Sequence, residues 1–515
     1  MQKKTTLSER IYKRLLRLYP AEFRDEYGPL MVQLFRDRRR DEKRIVHLWI
    51  DVVFDLAASV PAQHIIAGDR METALQDLRR HARIFAKYAF RLIVSVLLLS
   101  GAWWIAASAM AASSEKALDE KLARANGAAP AEFISSLPKE ERNDSARRID
   151  ETISEIIGTS VAIPEFTVAA NYRDERDGVY YDYLDWHVYR SDGEVDEPPA
   201  EMKQLLSKHS ASLERLYAFI DTSGPPRWEQ NSSLLVKAPF PDFTRLRNLF
   251  KIITLDILAK TREGKNREAM SAFECAWKIT EALGQRPEEI SQILACAQAA
   301  ALAGAMRKMK DVPADWQQRI TDHSYRESLI RGLRIEAASF ALWLRQESFH
   351  NRARFMFGEG LMDRLAFALF GSPYMRLCMA DNSSNGLQIL DRLESLDICS
   401  YDRDEMRDRM RSSFAWWNKL RMASFPGQSW ETAVKTELDL QLTKMVLRGR
   451  EILSQGGSRI RELLSKEETC VCGDMKWQYR ISSDGKVSVA LANAPEWIVK
   501  KDRALIDQYE IGAIH

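Results

Sequence analysis

Residues Leu92–Ala112 read LIVSVLLLSGAWWIAASAMAA, a run of 21 residues without a charged side chain. A helix rises about 1.5 Å per residue, so a helix of this length covers roughly 30 Å, the thickness of the hydrocarbon core of a bilayer. The run has no polar stripe, which argues against the buried helix of a soluble protein. The sequence therefore predicts one transmembrane helix, over residues 89–113.

The charges on the two sides of this run predict its orientation. Residues 1–91 hold 19 lysines and arginines against 12 acidic residues, a net +7, and this leaves 56 against 61, a net −5, from chain totals of 75 and 73. The basic residues directly before the run are Arg79, Arg80, Arg83, Lys87 and Arg91. Because basic flanks stay in the cytoplasm, we expect a cytoplasmic N-terminus and an internal signal anchor, with the rest of the chain exported.

The composition is that of folded protein. Of 515 residues, 45% are hydrophobic and 29% are charged, so disorder is not expected. A basic part before the membrane and a mildly acidic part after it fit a membrane-anchored protein better than one that binds nucleic acid. All six cysteines follow the run, where an oxidising compartment would permit disulfides: Cys275, Cys296, Cys378, Cys399, Cys470 and Cys472.

Residues 1–88 are expected to form a cytoplasmic module of three short helices. Apolar residues recur at helical spacing in three groups that are separated by Pro20 and a charged stretch. These groups are Ile11, Leu15, Leu16 and Tyr19; Phe23, Tyr27, Met31 and Phe35; and Ile45, Leu48, Trp49, Val52, Val53 and Leu56. The run RDRRRDEKR, residues 36–44, is either a solvated helix end with internal ion pairs or a contact with anionic lipid headgroups.

The string LYPAEFRDEYG, residues 18–28, with Met31, Phe35 and Asp37 after it, resembles the N-terminal prefix segment of bacterial permeases of the macrolide-exporter type. The resemblance covers roughly residues 8–65. It implies a bacterial inner-membrane protein with a small helical module at the cytoplasmic face. One helix and an unrelated region follow here instead of a multi-helix permease, so the resemblance does not imply transport.

Residues 114–240 are expected to hold a helical stalk and then an extended aromatic segment. Residues 113–150 are rich in Ala, Lys and Glu, which is typical of a helix. Between residues 159 and 200, Tyr, Trp and Val alternate with aspartates, and this favours strands or extended chain. Such an aromatic and acidic strip could bind a sugar or a cation, or it could simply pack on a helical body.

Residues 241–465 are predicted to form helical hairpins, so the fold class is mainly α. Leu246, Leu249, Phe250, Ile253 and Ile257 form one apolar stripe, and similar stripes follow Gly264 and Pro287. In residues 466–515 we expect a small β-hairpin and a tail. The two strands are WQYRI (residues 477–481) and VSVAL (residues 487–491), joined by a turn at SDGK.

Residues 225–490 are similar to a group of uncharacterised, membrane-anchored helical proteins of bacteria. The similarity rests on residues 245–264, the helix over 269–283, residues 287–309 with their ISQIL core, and residues 329–336. It implies a helical architecture that ends in a short strand pair. Because no activity is attached to this group, the similarity says nothing about chemistry.

Few residues suggest chemistry. Cys470 and Cys472 could form a local disulfide, pair with a third cysteine, or stay as two neighbouring thiols. Glu347 and His350 share a helical face, but a di-iron site needs a second such pair, which the sequence lacks. Phosphate-binding and dinucleotide-binding glycine loops and the nucleophile elbow are also missing from the sequence. We therefore expect no catalytic residues, cofactor or metal.

These observations lead to a hypothesis and two alternatives. The hypothesis is a non-enzymatic, single-pass bacterial inner-membrane protein whose exported helical domain is a scaffold or interaction module for another envelope protein. The first alternative is an exported enzyme, either a hydrolase or a thiol oxidoreductase that uses Cys470 and Cys472. The second alternative, suggested by the prefix alone, is an accessory or sensor subunit of a transporter.

Overall fold

The computed structural model describes residues 7–41, 48–49, 51–52, 55–56, 59–60, 62–63, 71–157, 175–190, 192–230, 241–346, 372–413, 426–456, 459–499 and 508–513. The chain is mainly helical, with 77% helix and a small antiparallel sheet near the C-terminus, which confirms the predicted mainly α class. It forms two compact units, Met1–Ile105 and Ala106–His515. The border between them lies inside the apolar run.

The first unit begins with α1 (Leu7–Leu15), a 3-10 turn (Leu16–Leu18) and α2 (Ala21–Asp41). The described residues between 48 and 63 are helical as well. The rings of Tyr12 and Phe35 stack with their centroids 4.3 Å apart, and the Glu9 carboxylate accepts a hydrogen bond of 2.5 Å from Arg36. The buried core consists of Tyr12, Leu16, Tyr19, Val32, Phe35, Leu48, Val52, Leu56 and Val60.

A single helix of 56 residues, α3 (Met71–Asn126), carries the whole apolar run and continues into the second unit. The helices that follow are α4 (Pro130–Ser136), α5 (Asp144–Ile157), α6 (Glu175–Asp185), α7 (Ala200–Ser223), α8 (Phe243–Arg262), α9 (Asn266–Gly284), α10 (Glu289–Lys308), α11 (Trp316–Arg319), α12 (Tyr325–Gln346), α13 (Ser372–Ser395), α14 (Arg403–Ser413), α15 (Pro426–Gln455), α16 (Ile460–Lys466) and α17 (Glu496–Val499). A π-helical turn (Trp186–Arg190) extends α6.

Two stretches of the described chain are long and apolar enough to cross a membrane. They are Leu97–Ser136, which takes in the second half of α3, and α10. The most apolar part of the first is 11% buried, whereas that of α10 is 67% buried. Length and composition alone support a membrane association only weakly, because core helices of soluble proteins have the same properties.

Close packing between α10 and α15 forms the centre of the second unit. Small residues such as Ala299 and Ala303 line this side of α10 and are fully buried. They let the two backbones approach, so that Thr436 donates a hydrogen bond of 3.2 Å to the carbonyl of Cys296 and Thr443 one of 3.4 Å to that of Ala303. α8 and α9 complete this core, as the apolar stripes predict.

The predicted stalk is helical but does not stand free of the body. Leu118 and Leu122 of α3 are buried in a cluster with residues of α12 and α13, among them Ile335 and Leu387. Arg376 of α13 also donates two hydrogen bonds, of 2.7 and 2.5 Å, to the Glu115 carboxylate. The alanines and leucines of this stretch therefore serve packing on the body as well as helix formation.

The C-terminal sheet contains the predicted hairpin and two further strands. Its order is β1 (Thr469–Cys472), β2 (Met475–Ile481), β3 (Lys486–Ala492) and β4 (Gln508–Ala513), all antiparallel. Ile481 pairs with Val487 across the predicted turn. The sheet lies on α15, where Tyr479 donates a hydrogen bond of 2.6 Å to the carbonyl of Met445.

The prediction of strands in the aromatic segment is wrong for the described residues. Residues 175–190 are helical, because Tyr180, Tyr183, Leu184 and Val188 recur at helical spacing and are all buried in the body. Packing outweighs the strand propensity of Tyr, Trp and Val. Residues 159–174 precede this helix and lie outside the described residues. They include Val161, Ile163, Phe166 to Val168 and Asp174.

Candidate functional site

The helical segment 175–190 has one buried face and one exposed face. On the exposed face, the Tyr181 side chain is 43% exposed and that of Trp186 is 51% exposed, and Asp182 and Arg190 are exposed beside them. We call Tyr181, Asp182, Trp186 and Arg190 the aromatic face. Large aromatic residues that stay in water on a folded surface are typical of protein interfaces.

Charged groups border the aromatic face. The Lys251 ammonium lies 5.6 Å from the centre of the Tyr181 ring, at cation–π distance. Arg190 donates to the half-buried Asp185 carboxylate, with the two atoms 2.7 Å apart. The face therefore combines two aromatic rings with charges of both signs.

Gly304 of α10 fixes the buried side of the segment. A Cβ atom at this position would lie 2.2 Å from the carbonyl oxygen of Val188 and 2.7 Å from a methyl carbon of the same residue. Real Cβ atoms do not approach oxygen so closely, so only glycine allows the backbone of the π-helical turn to lie directly on α10. Trp186, two positions before Val188, is thereby held in place.

Arg307, one turn further along α10, connects this segment to α15. Its Nη2 donates a hydrogen bond of 3.2 Å to the carbonyl of Val188. Its Nη1 donates to the Asp439 carboxylate at 2.7 Å and to the Thr443 hydroxyl at 2.8 Å. The guanidinium carbon also lies 5.6 Å from the centre of the Tyr509 ring of β4. One buried side chain thus joins three parts of the body.

Burial perturbs the titratable groups around Arg307. Desolvation raises the pKa of Asp439, although Arg307 opposes this shift. Burial, assisted by the charge of Arg307, lowers the pKa of Lys308 to about 8, and the Lys308 ammonium donates a hydrogen bond of 2.8 Å to the carbonyl of Gly193. Burial also lowers the pKa of His187, whose Nε2 lies 3.4 Å from the Asp196 carboxylate. These buried groups hold the chain behind the aromatic face, and we assign them a positioning role.

The two cysteines that the sequence singles out have different environments. Cys472 forms a disulfide with Cys399, whose Cα lies 5.9 Å away, whereas Cys470 is an exposed free thiol. A β-bulge separates them, since Cys470 pairs with Lys476 and Cys472 with Met475 across β1 and β2. Adjacent positions of β2 face opposite sides, so the bulge turns Cys472 towards the buried side and leaves Cys470 on the other.

Several other potentially reactive sulfur atoms in the described part of the chain are either bonded or buried. Asp397, Cys399 and Cys472 bring three potential metal ligands within 4.8 Å of one another, but the disulfide already uses both sulfur atoms. Burial raises the pKa values of the Cys275 and Cys296 thiols far above neutral pH, which keeps them unreactive. Glu347 and His350 lie outside the described residues.

Sequence reasoning missed Gly304, Arg307 and Asp439. The only signal was indirect: Asp439 interrupts the apolar pair Leu438 and Leu440 on a predicted helix, and Arg307 ends a helix of small residues. The comparisons with known proteins add no further guidance, because no protein family, curated protein or solved structure matches the chain.

Proposed function

We propose that the chain is a single-pass membrane protein of the bacterial inner membrane whose exported helical body binds another envelope protein through the aromatic face. α3 is the anchor in this proposal. Most of the side-chain surface is exposed at four of its apolar residues, Leu97, Leu98, Leu99 and Ile105. The apolar side chains of α10, in contrast, are mostly buried in the body. Lipid is the solvent that suits such a surface.

Two observations support an extracytoplasmic body. The basic flank before the apolar run favours a cytoplasmic N-terminus. The Cys399–Cys472 disulfide belongs to the body, and such bonds persist in oxidising compartments. The prefix-like N-terminal module is consistent with the same membrane, since its resemblance is to bacterial inner-membrane permeases.

The observation that carries the binding proposal is the state of Trp186. About half of this side chain is exposed, although Gly304 and Arg307 fix the backbone of its segment at Val188. A partner that covers a large aromatic side chain on a fixed backbone gains apolar burial and pays less ordering entropy than on a mobile loop. Charges of both signs beside the ring provide polar contacts for the rim of an interface.

Photocrosslinking in living cells tests this proposal. A photoreactive phenylalanine analogue would replace Trp186 in the full chain, and a matched variant would carry it at Gln204, an exposed position of α7. We expect a discrete crosslinked product of higher mass from position 186 and none from position 204. Products of the same pattern at both positions, or at neither, would contradict a binding role for the aromatic face.

A further inference from the structure

Helix α2 of the first unit is apolar on two sides. One side, with Val32 and Phe35, is buried in the core of the unit. On another side lie Tyr27, Leu30 and Leu34, at spacings of three and four residues, so they form one row along the helix. We call these three residues the Tyr27 stripe. At about 100° per residue, the stripe is centred roughly 140° around the helix from the buried side.

The Tyr27 stripe is open to solvent. Leu30 is 62% exposed, Leu34 is 60% exposed and Tyr27 is 42% exposed. Isolated exposed leucines need no explanation. A row of large apolar side chains on one helix, in contrast, usually marks a surface that binds a partner or a membrane.

We infer that the Tyr27 stripe lies in the headgroup region of the membrane leaflet that faces the N-terminal module, and that anionic lipids strengthen this contact. The inference rests on the proposed function, in which α3, whose first part belongs to the same compact unit, crosses the bilayer. A chain that is anchored by one helix keeps its neighbouring module close to the membrane surface, so even a small amphipathic face is effective there.

The charges around the stripe fit this occupant. Arg24 precedes Tyr27 by three residues and Arg38 follows Leu34 by four, so a basic residue stands near each end of the stripe. On its other border Asp37 is paired with Arg40, at 3.9 Å, and the Glu26 carboxylate is engaged by a hydrogen bond with the Tyr27 side chain. Residues 1–63 hold 13 lysines and arginines against 9 acidic residues, a net +4. Basic residues beside an apolar helical face attract phosphatidylglycerol and similar headgroups, and tyrosine favours the interface.

The test uses the full chain reconstituted into vesicles, with Cys470→Ser to remove the exposed thiol. An environment-sensitive fluorophore is attached at Leu34→Cys, and in a control at Gln33→Cys, an exposed polar position one residue earlier. The vesicles contain phosphatidylcholine with or without phosphatidylglycerol. We expect the emission at position 34 to shift to the blue and to be quenched several-fold more by spin-labelled lipid than at position 33, with a larger difference in the anionic vesicles.

Other occupants give different results. Equal quenching at positions 33 and 34 would overturn the inference. A parallel sample of the Leu34→Cys chain is left unlabelled and treated with a mild oxidant such as copper phenanthroline. A disulfide-linked dimer in that sample, together with a lack of lipid quenching in the labelled sample, would show that a second copy of the chain covers the stripe, and it would overturn the inference as well. Flotation of the same samples separates the two proposals: if the chain does not float with the vesicles, the anchor proposal fails, whereas floating chain with unquenched label refutes only the stripe.

Discussion

Gly304 matters because of the atom that lies against it. The neighbour of its missing Cβ is a backbone carbonyl oxygen, that of Val188, and a backbone atom cannot rotate away as a side chain can. The same carbonyl accepts a hydrogen bond from Arg307, so any displacement also strains this buried hydrogen bond. Small changes at this one position should therefore affect both stability and the aromatic face.

We expect Gly304→Ala to lower the free energy of unfolding by about 2–4 kcal/mol, because the added methyl group overpacks a close backbone contact. Gly386→Ala is the matched control: this glycine is also within a helix, α13, and no atom lies within 4 Å of its Cβ position. There alanine should stabilise by about 0.5–1 kcal/mol through helix propensity. Chemical denaturation measures both, and equal effects of the two substitutions would refute the packing argument.

Glu336 of α12 makes stability depend on pH. Burial raises its pKa to about 7, and the neighbouring carboxylates of Glu289 and Glu288 add to the shift, while a hydrogen bond of 2.8 Å from the backbone N–H of Glu289 opposes it. The pKa in the folded chain is above the unfolded value of 4.5. Protonated Glu336 is therefore tolerated below pH 4.5, and its stabilising contribution is lost as the pH rises through 7.

It follows that Glu336→Gln should raise the melting temperature relative to the native chain at pH 8, and that this gain should shrink steadily as the pH falls towards 5. Glu327→Gln, at an exposed position of the same helix, is the control and should change little at any pH. Thermal unfolding across this pH range measures the effect. A gain that is independent of pH would mean that titration of Glu336 is not its cause.

The β-bulge in β1 assigns different roles to two cysteines only two positions apart. Cys472 closes a disulfide with Cys399 over a separation of 73 residues, whereas Cys470 lies on the opposite side of the strand. The bond ties the sheet to the 3-10 turn Ile398–Ser400, beyond the end of α13. A link over so long a segment restricts the unfolded chain strongly.

For this reason Cys472→Ser should destabilise the oxidised protein by about 2–4 kcal/mol, the usual effect of losing a native disulfide. Cys470→Ser should leave the melting temperature unchanged. Under a reductant, the native chain and Cys472→Ser should melt together. A loss of stability in Cys470→Ser that equals the loss in Cys472→Ser would instead indicate a bond between these two cysteines.

Some elements could be predicted from local patterns and others could not. The apolar stripe from Leu246 to Ile257 keeps the same helical spacing over three turns, so it predicts α8. The turn after Ile481 fixes the register of the hairpin. The tyrosines near residue 180 favour strands locally, and only packing on the body makes them helical. β4 pairs with β3, but about 15 residues separate the two strands in the sequence. No local pattern of apolar or turn residues distinguishes β4 from an unstructured tail.

The same limit applies to the candidate site. Cys470 and Cys472 could be singled out by residue type, but their environments depend on one bulged residue. Arg307 and Asp439 are 132 positions apart, and their pairing depends on how α10 and α15 meet. A buried ion pair of this kind leaves no periodic trace in the sequence, because each partner alone resembles a surface residue.

In the whole molecule, the charge division between the two sides of the apolar run predicts topology. A fluorescent protein fused after residue 88 should be active in the cytoplasm, and alkaline phosphatase fused after residue 126, at the end of α3, should be active outside it. Removing the five basic residues from Arg79 to Arg91 should weaken or invert this pattern. A fluorescent-protein fusion after residue 126 that fluoresces in the cytoplasm, together with an inactive alkaline phosphatase at the same position, would exclude the anchor.

The position of Tyr509 has a consequence for biogenesis. Its hydroxyl donates a hydrogen bond of 3.3 Å to the carbonyl of Arg307, 202 positions earlier. A chain that emerges vectorially from a ribosome or a secretion channel must wait for β4 before this contact can close. Until then the Arg307 region is incomplete, so we expect the body to mature late and to depend on holding chaperones until β4 has been made.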